Sequence, residues 1–249
     1  MMASLPEGVS HSQRLSIAKS LCQMALAKHG DTIAAVGIYG STAIGTDRPY
    51  SDLDMTFVTT VDLGDNTKCY SFKGMPIQLD YQTIEESMSE ACDPVDGACW
   101  IDFLVLYDSR NIIGEFRETF RRLSADDFKY KLEALFQDHL TSLMGKVRNA
   151  VISDARAELI RSTQDFGEQV CRALLLINRA SSTGNARLRA AAKALPRKPD
   201  DFDALIDIVL SARQESDALL YASTEVLWRK MSEMAQQMGI RIEMDVLQV

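Results

Sequence analysis

Two short polar motifs lie between two apolar runs of this chain: Gly40-Ser41 and, eleven residues after the serine, Asp52-Leu53-Asp54. The runs on either side, Val36 to Tyr39 and Met55 to Thr59, are apolar and β-rich and predict strands. A glycine directly after a buried strand lets the backbone turn tightly and approach a ligand with no side chain in the way. Ser41 adds a hydroxyl donor, and a helix opening there would turn free N–H groups toward the same anion. Asp52 and Asp54 are one residue apart, so in an extended chain they share a face. Two carboxylates on one face make a hard-oxygen site suited to Mg²⁺, which takes one or two protein carboxylates together with substrate phosphates. Either motif alone is common. Their order and spacing, with a strand expected on each side, predict a site for metal-dependent transfer of a nucleotidyl group.

A third carboxylate follows. Met75, Ile77, Leu79 and Tyr81 alternate with Pro76, Gln78 and Asp80, the period of a half-buried strand. Gly64-Asp65-Asn66 and Lys73-Gly74 read as turns that bracket another strand near Lys68 to Phe72. Such a meander would bring Asp80 beside the aspartate pair, as third metal ligand or as base. The alternative is that Asp80 marks only the solvent side of its strand.

Composition narrows the function. The chain has 249 residues, 46% apolar and 25% charged, as in a globular protein of one large or two small domains. Its 27 basic against 35 acidic residues give a net charge of −8, which argues against nucleic acid as the main ligand and is compatible with a polycationic substrate. Five scattered cysteines without a Cys-x-x-Cys pair fit a reduced, cytoplasmic protein, and three histidines leave little for a zinc site. The opening residues lack the layout of a secretion signal, and no apolar run reaches the roughly 20 residues that span a bilayer.

The texture changes along the chain. Up to about Leu123 helical and strand patterns alternate, beginning with a helix through Leu15, Ile17, Ala18, Leu21, Met24, Ala25 and Ala27 that ends at His29-Gly30. From Ser124, an expected N-cap followed by Asp126 and Asp127, the periodicity is almost wholly helical, broken at residues 181–185 and 196–199. The expected fold is an α/β domain over 1–123 followed by a helical bundle over 124–249, with a short strand at Ile240 to Met244. In one bundle helix Leu132, Leu135, Phe136, Leu140 and Leu143 form an apolar stripe, while Asp138, Ser142, Gly145, Lys146 and Asn149 lie on another side. Asp138 could accept a proton from an attacking hydroxyl and Lys146 could meet phosphate oxygens; an ordinary solvated face is the competing account.

Tyr39-Gly40-Ser41, Thr46-Asp47, Pro49-Tyr50-Ser51-Asp52-Leu53-Asp54-Met55, Tyr107-Asp108-Ser109 and Gly145-Lys146-x-Arg148-Asn149 together resemble the aminoglycoside nucleotidyltransferases. The likeness is strongest to the 4'-O-nucleotidyltransferases of the kanamycin nucleotidyltransferase type and extends over essentially the whole chain. The resemblance implies a nucleotidyltransferase fold (a mixed sheet flanked by helices) with a C-terminal helical bundle. It also implies a homodimer with shared active sites. The reaction implied is transfer of AMP from ATP, or of another nucleoside monophosphate, to an aminoglycoside hydroxyl with Mg²⁺, which confers antibiotic resistance. Asp52 and Asp54 match the metal ligands, Gly40, Ser41, Thr42 and Ser51 the phosphate loop, and Lys146 the phosphate-contacting lysine. Two positions depart from the pattern. Ile44 replaces an arginine, so the triphosphate must meet other cations. Ser142 replaces the glutamate base four residues before the lysine. A serine of ordinary acidity is no general base at neutral pH. Asp138 is the expected base, with Asp80 and His139 as alternatives, and Asp93, Asp96, Asp102 and Glu168 are candidates to meet drug ammonium groups. Rival readings keep the fold but take a protein or RNA acceptor, or retain nucleotide binding without catalysis.

Overall fold

The computed structural model describes residues 8–64, 67–72, 74–180 and 187–242. The chain divides into two compact units, Met1–Leu123 and Ser124–Val249.

The first unit is built on one mixed sheet. Helix α1 (His11–His29) begins at a capping box between Ser10 and Gln13 and stops at Gly30, whose φ of 54° ends the helical turn. Strand β1 (Ile33–Tyr39) follows, then a single helical turn, α2 (Gly40–Ala43), and strand β2 (Leu53–Thr59). Strands β3 (Thr67–Phe72) and β4 (Met75–Thr83) lead into α3 (Ile84–Ala91), whose start is capped by Thr83 and Glu86. A 3₁₀ turn (Asp96–Trp100), β5 (Leu104–Asp108) and α4 (Ile112–Arg121) complete the unit.

The sheet order is β3-β4-β2-β1-β5; β2 and β4 are parallel and the other neighbours antiparallel. β1 and β2 are buried on both faces because they lie at the centre. Val36, Ile38, Leu53, Met55, Phe57, Ile77 and Leu79 share one core with Ala18, Cys22 and Ala25 of α1. Val58, Trp100, Phe103, Ile113 and Phe116 belong to the core on the other face. Since Asp54 alternates with Leu53 and Met55, it points to the face away from α1. The turns expected at Asp65-Asn66 and at Lys73 lie outside the described residues. Met24 and Ala27, counted toward the apolar stripe of α1, are exposed; its buried stripe is Arg14, Ala18, Cys22 and Ala25.

The second unit is helical. α5 (Ala125–Ala134) opens at a capping box between Ser124 and Asp127, continues through a π-helical turn (Leu135–Leu140) and becomes α6 (Thr141–Ile152). α7 (Arg156–Asn178), α8 (Leu188–Lys193), α9 (Phe202–Leu210) and α10 (Asp217–Gln237) follow. Phe136 and Phe166 both face the Trp228 ring, which ties the π turn, α7 and α10 into one core. Ile240 to Ile242 form no strand, and the rest of the expected terminal strand lies outside the described residues. No described helix is long and apolar enough to cross a membrane.

Candidate active site

Strand register assembles the site. Tyr39 of β1 lies opposite Asp54 of β2, and Asp54 opposite Gln78 of β4. The next row places Gly37, Thr56, Asp80 and Thr67 side by side. β2 starts at Leu53, so Asp52 stands just ahead of the strand in the loop rather than within it. The two carboxylates remain close enough for the charge of Asp52 to act on Asp54.

Burial first, then the charges of Asp52 and Asp80, push the Asp54 carboxyl up to about 7. Among the described residues no donor bonds its side chain and no cation pairs with it. Gly40 adopts φ +71°, and a Cβ there would stand 3.0 Å from Asp54 Oδ2. Glycine thus serves both the turn and the clearance beside the carboxylate. The Ser41 hydroxyl makes no bond to a described residue, while its carbonyl accepts the Thr46 amide at 3.0 Å. Ser51 Oγ accepts the Arg48 amide at 2.9 Å, which leaves its O–H free to donate elsewhere.

Two of the expected residues have partners of their own. Thr42 is buried and its hydroxyl donates to the Asp52 carbonyl at 3.5 Å, so its side chain braces the aspartate loop. Asp80 is brought to the site but is occupied: it accepts from Tyr39 Oη at 2.7 Å, Thr67 Oγ1 at 2.9 Å and Gln78 Nε2 at 3.0 Å. No group of three or more His, Cys, Asp or Glu placed to hold a metal occurs among the described residues. Burial and the bond to Asp80 hold the Tyr39 phenol well above the ordinary tyrosine range, so it stays a donor. The pair Asp52/Asp54 fits a divalent cation on its own terms: neither carboxylate meets a cation or donor among the described residues, and the raised proton affinity of Asp54 is what a metal would answer.

A further carboxylate stands nearby. Burial raises Glu90 above the usual glutamate range, with Cys99 Sγ donating to it at 3.6 Å. Its place at the end of an amphipathic helix gives no sequence signal. Asp93 caps its own turn, accepting the amides of Val95 at 2.7 Å and Asp96 at 3.1 Å. Asp108 of the Tyr-Asp-Ser motif receives the amides of Ile112 and Ile113, both at 3.1 Å, and so anchors the start of α4.

The other residues that the sequence marks as candidates belong to the second unit. Asp138 and His139 are exposed on the π-helical turn, where the Thr141 amide reaches back to the Phe136 carbonyl. Such turns recur at functional sites because the extra residue re-aims side chains. Ser142, Gly145, Lys146 and Asn149 are exposed on α6, and Lys146 makes no hydrogen bond or ion pair to a described residue. Arg148, by contrast, is paired through both ends of its fork with Glu225 at 2.7 and 3.0 Å.

Comparison with known proteins agrees with this architecture. Residues 110–241 match the family model of the KNTase C-terminal domain. Two proteins called aminoglycoside nucleotidyltransferase (4'), from Staphylococcus aureus and a Bacillus species, are each 23% identical over 240 residues, spanning 94% of this chain and 95% of their own. A nucleotidyltransferase-like protein of known structure from Exiguobacterium sibiricum superposes with a TM-score of 0.55 at 11% identity, covering 90% of this chain and 75% of its own. At that identity the likeness concerns the fold alone.

Proposed function

The chain belongs to the family of the KNTase C-terminal domain, and from that membership we infer that it is a nucleotidyltransferase that moves AMP from MgATP to a hydroxyl of an aminoglycoside, at the 4' position. The observation that carries this reading is the uncompensated pair Asp52/Asp54 beside Gly40.

Asp52 and Asp54 would hold Mg²⁺, which when bound neutralises phosphate charge and orients the leaving pyrophosphate. Gly40 leaves room for the triphosphate, and the free hydroxyls of Ser41 and Ser51 are donors for its oxygens. Lys146 is proposed to stabilise charge that develops on the α-phosphoryl group in the transition state. Asp138 is proposed as the base that takes the acceptor's proton, because it is exposed whereas Asp80 is bonded on both oxygens. The acidic balance of the chain supports a cationic acceptor.

The test is pyrophosphate release from MgATP with and without kanamycin or tobramycin, parent against Asp52→Ala. Release that requires the drug and disappears in the variant is expected. Release without any acceptor, or release that survives the substitution, overturns the reading.

A further inference from the structure

Arg14 is fully buried, although nothing favours a buried guanidinium unless its donors are met. Its partners are almost all in one segment. Nη1 is paired with Asp47, itself 1% exposed, and Nη2 donates to the carbonyls of Arg48 at 3.1 Å, Pro49 at 3.4 Å and Ser51 at 3.0 Å, and to Val9 at 3.3 Å. Nε is buried with no partner among the described residues, which costs stability. The loop closes on itself around the cation: Ser51 N–H donates to the Arg48 carbonyl at 2.9 Å, and Val9 N–H to that of Pro49 at 2.8 Å.

The segment so gathered ends at Asp52. We propose that Arg14 is the positioning residue of the metal site, acting through the Asp47–Ser51 loop to fix where Asp52 stands relative to Asp54. The guanidinium does for this loop what a structural cation does elsewhere, drawing several carbonyls to one point from inside the fold. A lysine cannot replace it, because one ammonium cannot reach Asp47 and spread carbonyls together. Thr42 of α2 donates to the carbonyl of Asp52 itself, so α1 holds the loop as far as Ser51 and α2 holds the residue that follows. This inference rests on the reading of Asp52 and Asp54 as metal ligands.

The experiment measures Mn²⁺ affinity by electron paramagnetic resonance, well below each variant's melting temperature, for the parent, Arg14→Lys and Arg14→Met. Val170→Ala, a core truncation in the helical unit, serves as a control for lost stability. Groups that orient metal ligands typically alter metal affinity about 10–100-fold, and that loss is expected in both Arg14 variants while Val170→Ala binds as the parent does. If Arg14→Met does not fold, Arg14→Lys carries the test. Mn²⁺ affinity within about twofold of the parent in a folded Arg14 variant overturns the inference even if the variant melts early. A parent that binds no Mn²⁺ sensitive to Asp52→Ala overturns the metal reading itself, and the positioning role with it.

Discussion

The Oδ2 oxygen of Asp54 lies 3.0 Å from the point where a Cβ on Gly40 would stand, and Gly40 already sits at a φ of +71°. Gly40→Ala is therefore wrong twice, in backbone and in space. The left-handed conformation alone costs about 1–2 kcal/mol for an L-residue. The methyl group also presses on the carboxylate, which must give by a few tenths of an ångström; since a shift of about 1 Å costs about hundredfold, turnover should fall by less than that. Denaturant melts and pyrophosphate release check the two effects separately; unchanged turnover would sink the clearance argument.

The raised proton affinity of Asp54 has a signed consequence for the metal-free protein. Its carboxyl titrates near 3.8 when unperturbed and at about 7 in the folded state. Between those values the folded state binds more protons than the unfolded chain, so stability falls as pH rises through the window. In EDTA, Asp54→Asn should melt above the parent at pH 8 and with it at the acid end. Mg²⁺ should recover the parent at pH 8 and leave the variant unmoved. Parallel melting curves from the acid end to pH 8 would refute the coupling.

Asp80 distinguishes a brace from a base. As an acceptor for Tyr39, Thr67 and Gln78 it ties β1, β3 and β4 together across the strand that bears Asp54. Asp80→Asn should retain kcat within about tenfold with an unshifted pH profile, whereas loss of a general base costs about 10²–10⁴. Tyr39→Phe removes a bond to a charged acceptor and should destabilise the first unit by about 1.5–3 kcal/mol. A collapse of kcat in Asp80→Asn with normal melting would reinstate it as the base.

On the helical unit, stability and activity should separate. Asp138 and Lys146 are exposed, so Asp138→Asn and Lys146→Ala should change folding by less than about 0.5 kcal/mol. Turnover should fall about 10²–10⁴ for the first and about 10²–10³ for the second. Parent-like kcat in Asp138→Asn at every pH would remove it as base. A Cβ on Gly145 would meet nothing within 4 Å, so Gly145→Ala should stabilise the helix by about 0.5–1 kcal/mol, read from thermal melts.

What sequence makes legible is local. Strand alternation and the motif spacing place Asp52, Asp54 and Asp80 on neighbouring strands or at their ends, because period-2 patterns and turn residues act within a few positions. Arg14 escapes such a reading although it falls on the same helical stripe as Ala18, Cys22 and Ala25. Its partners lie 33 to 37 positions along the chain, apart from Val9, and no local pattern announces a guanidinium folded into a loop. The inward turn of the Thr42 hydroxyl is hidden for the same reason, since tertiary packing alone brings it to the Asp52 carbonyl. The π-helical turn is equally hidden, since an extra residue in a helix leaves the apolar spacing almost intact.

The central strand β1 takes β2 on one side at once, but its other edge waits for Leu104–Asp108. During synthesis the strand that ends in Tyr39 therefore has a bare row of N–H and C=O groups until residue 108 has left the ribosome. An incomplete chain offers that row to any other strand it meets. The same pairing that completes the sheet also protects the nascent protein from pairing with its neighbours.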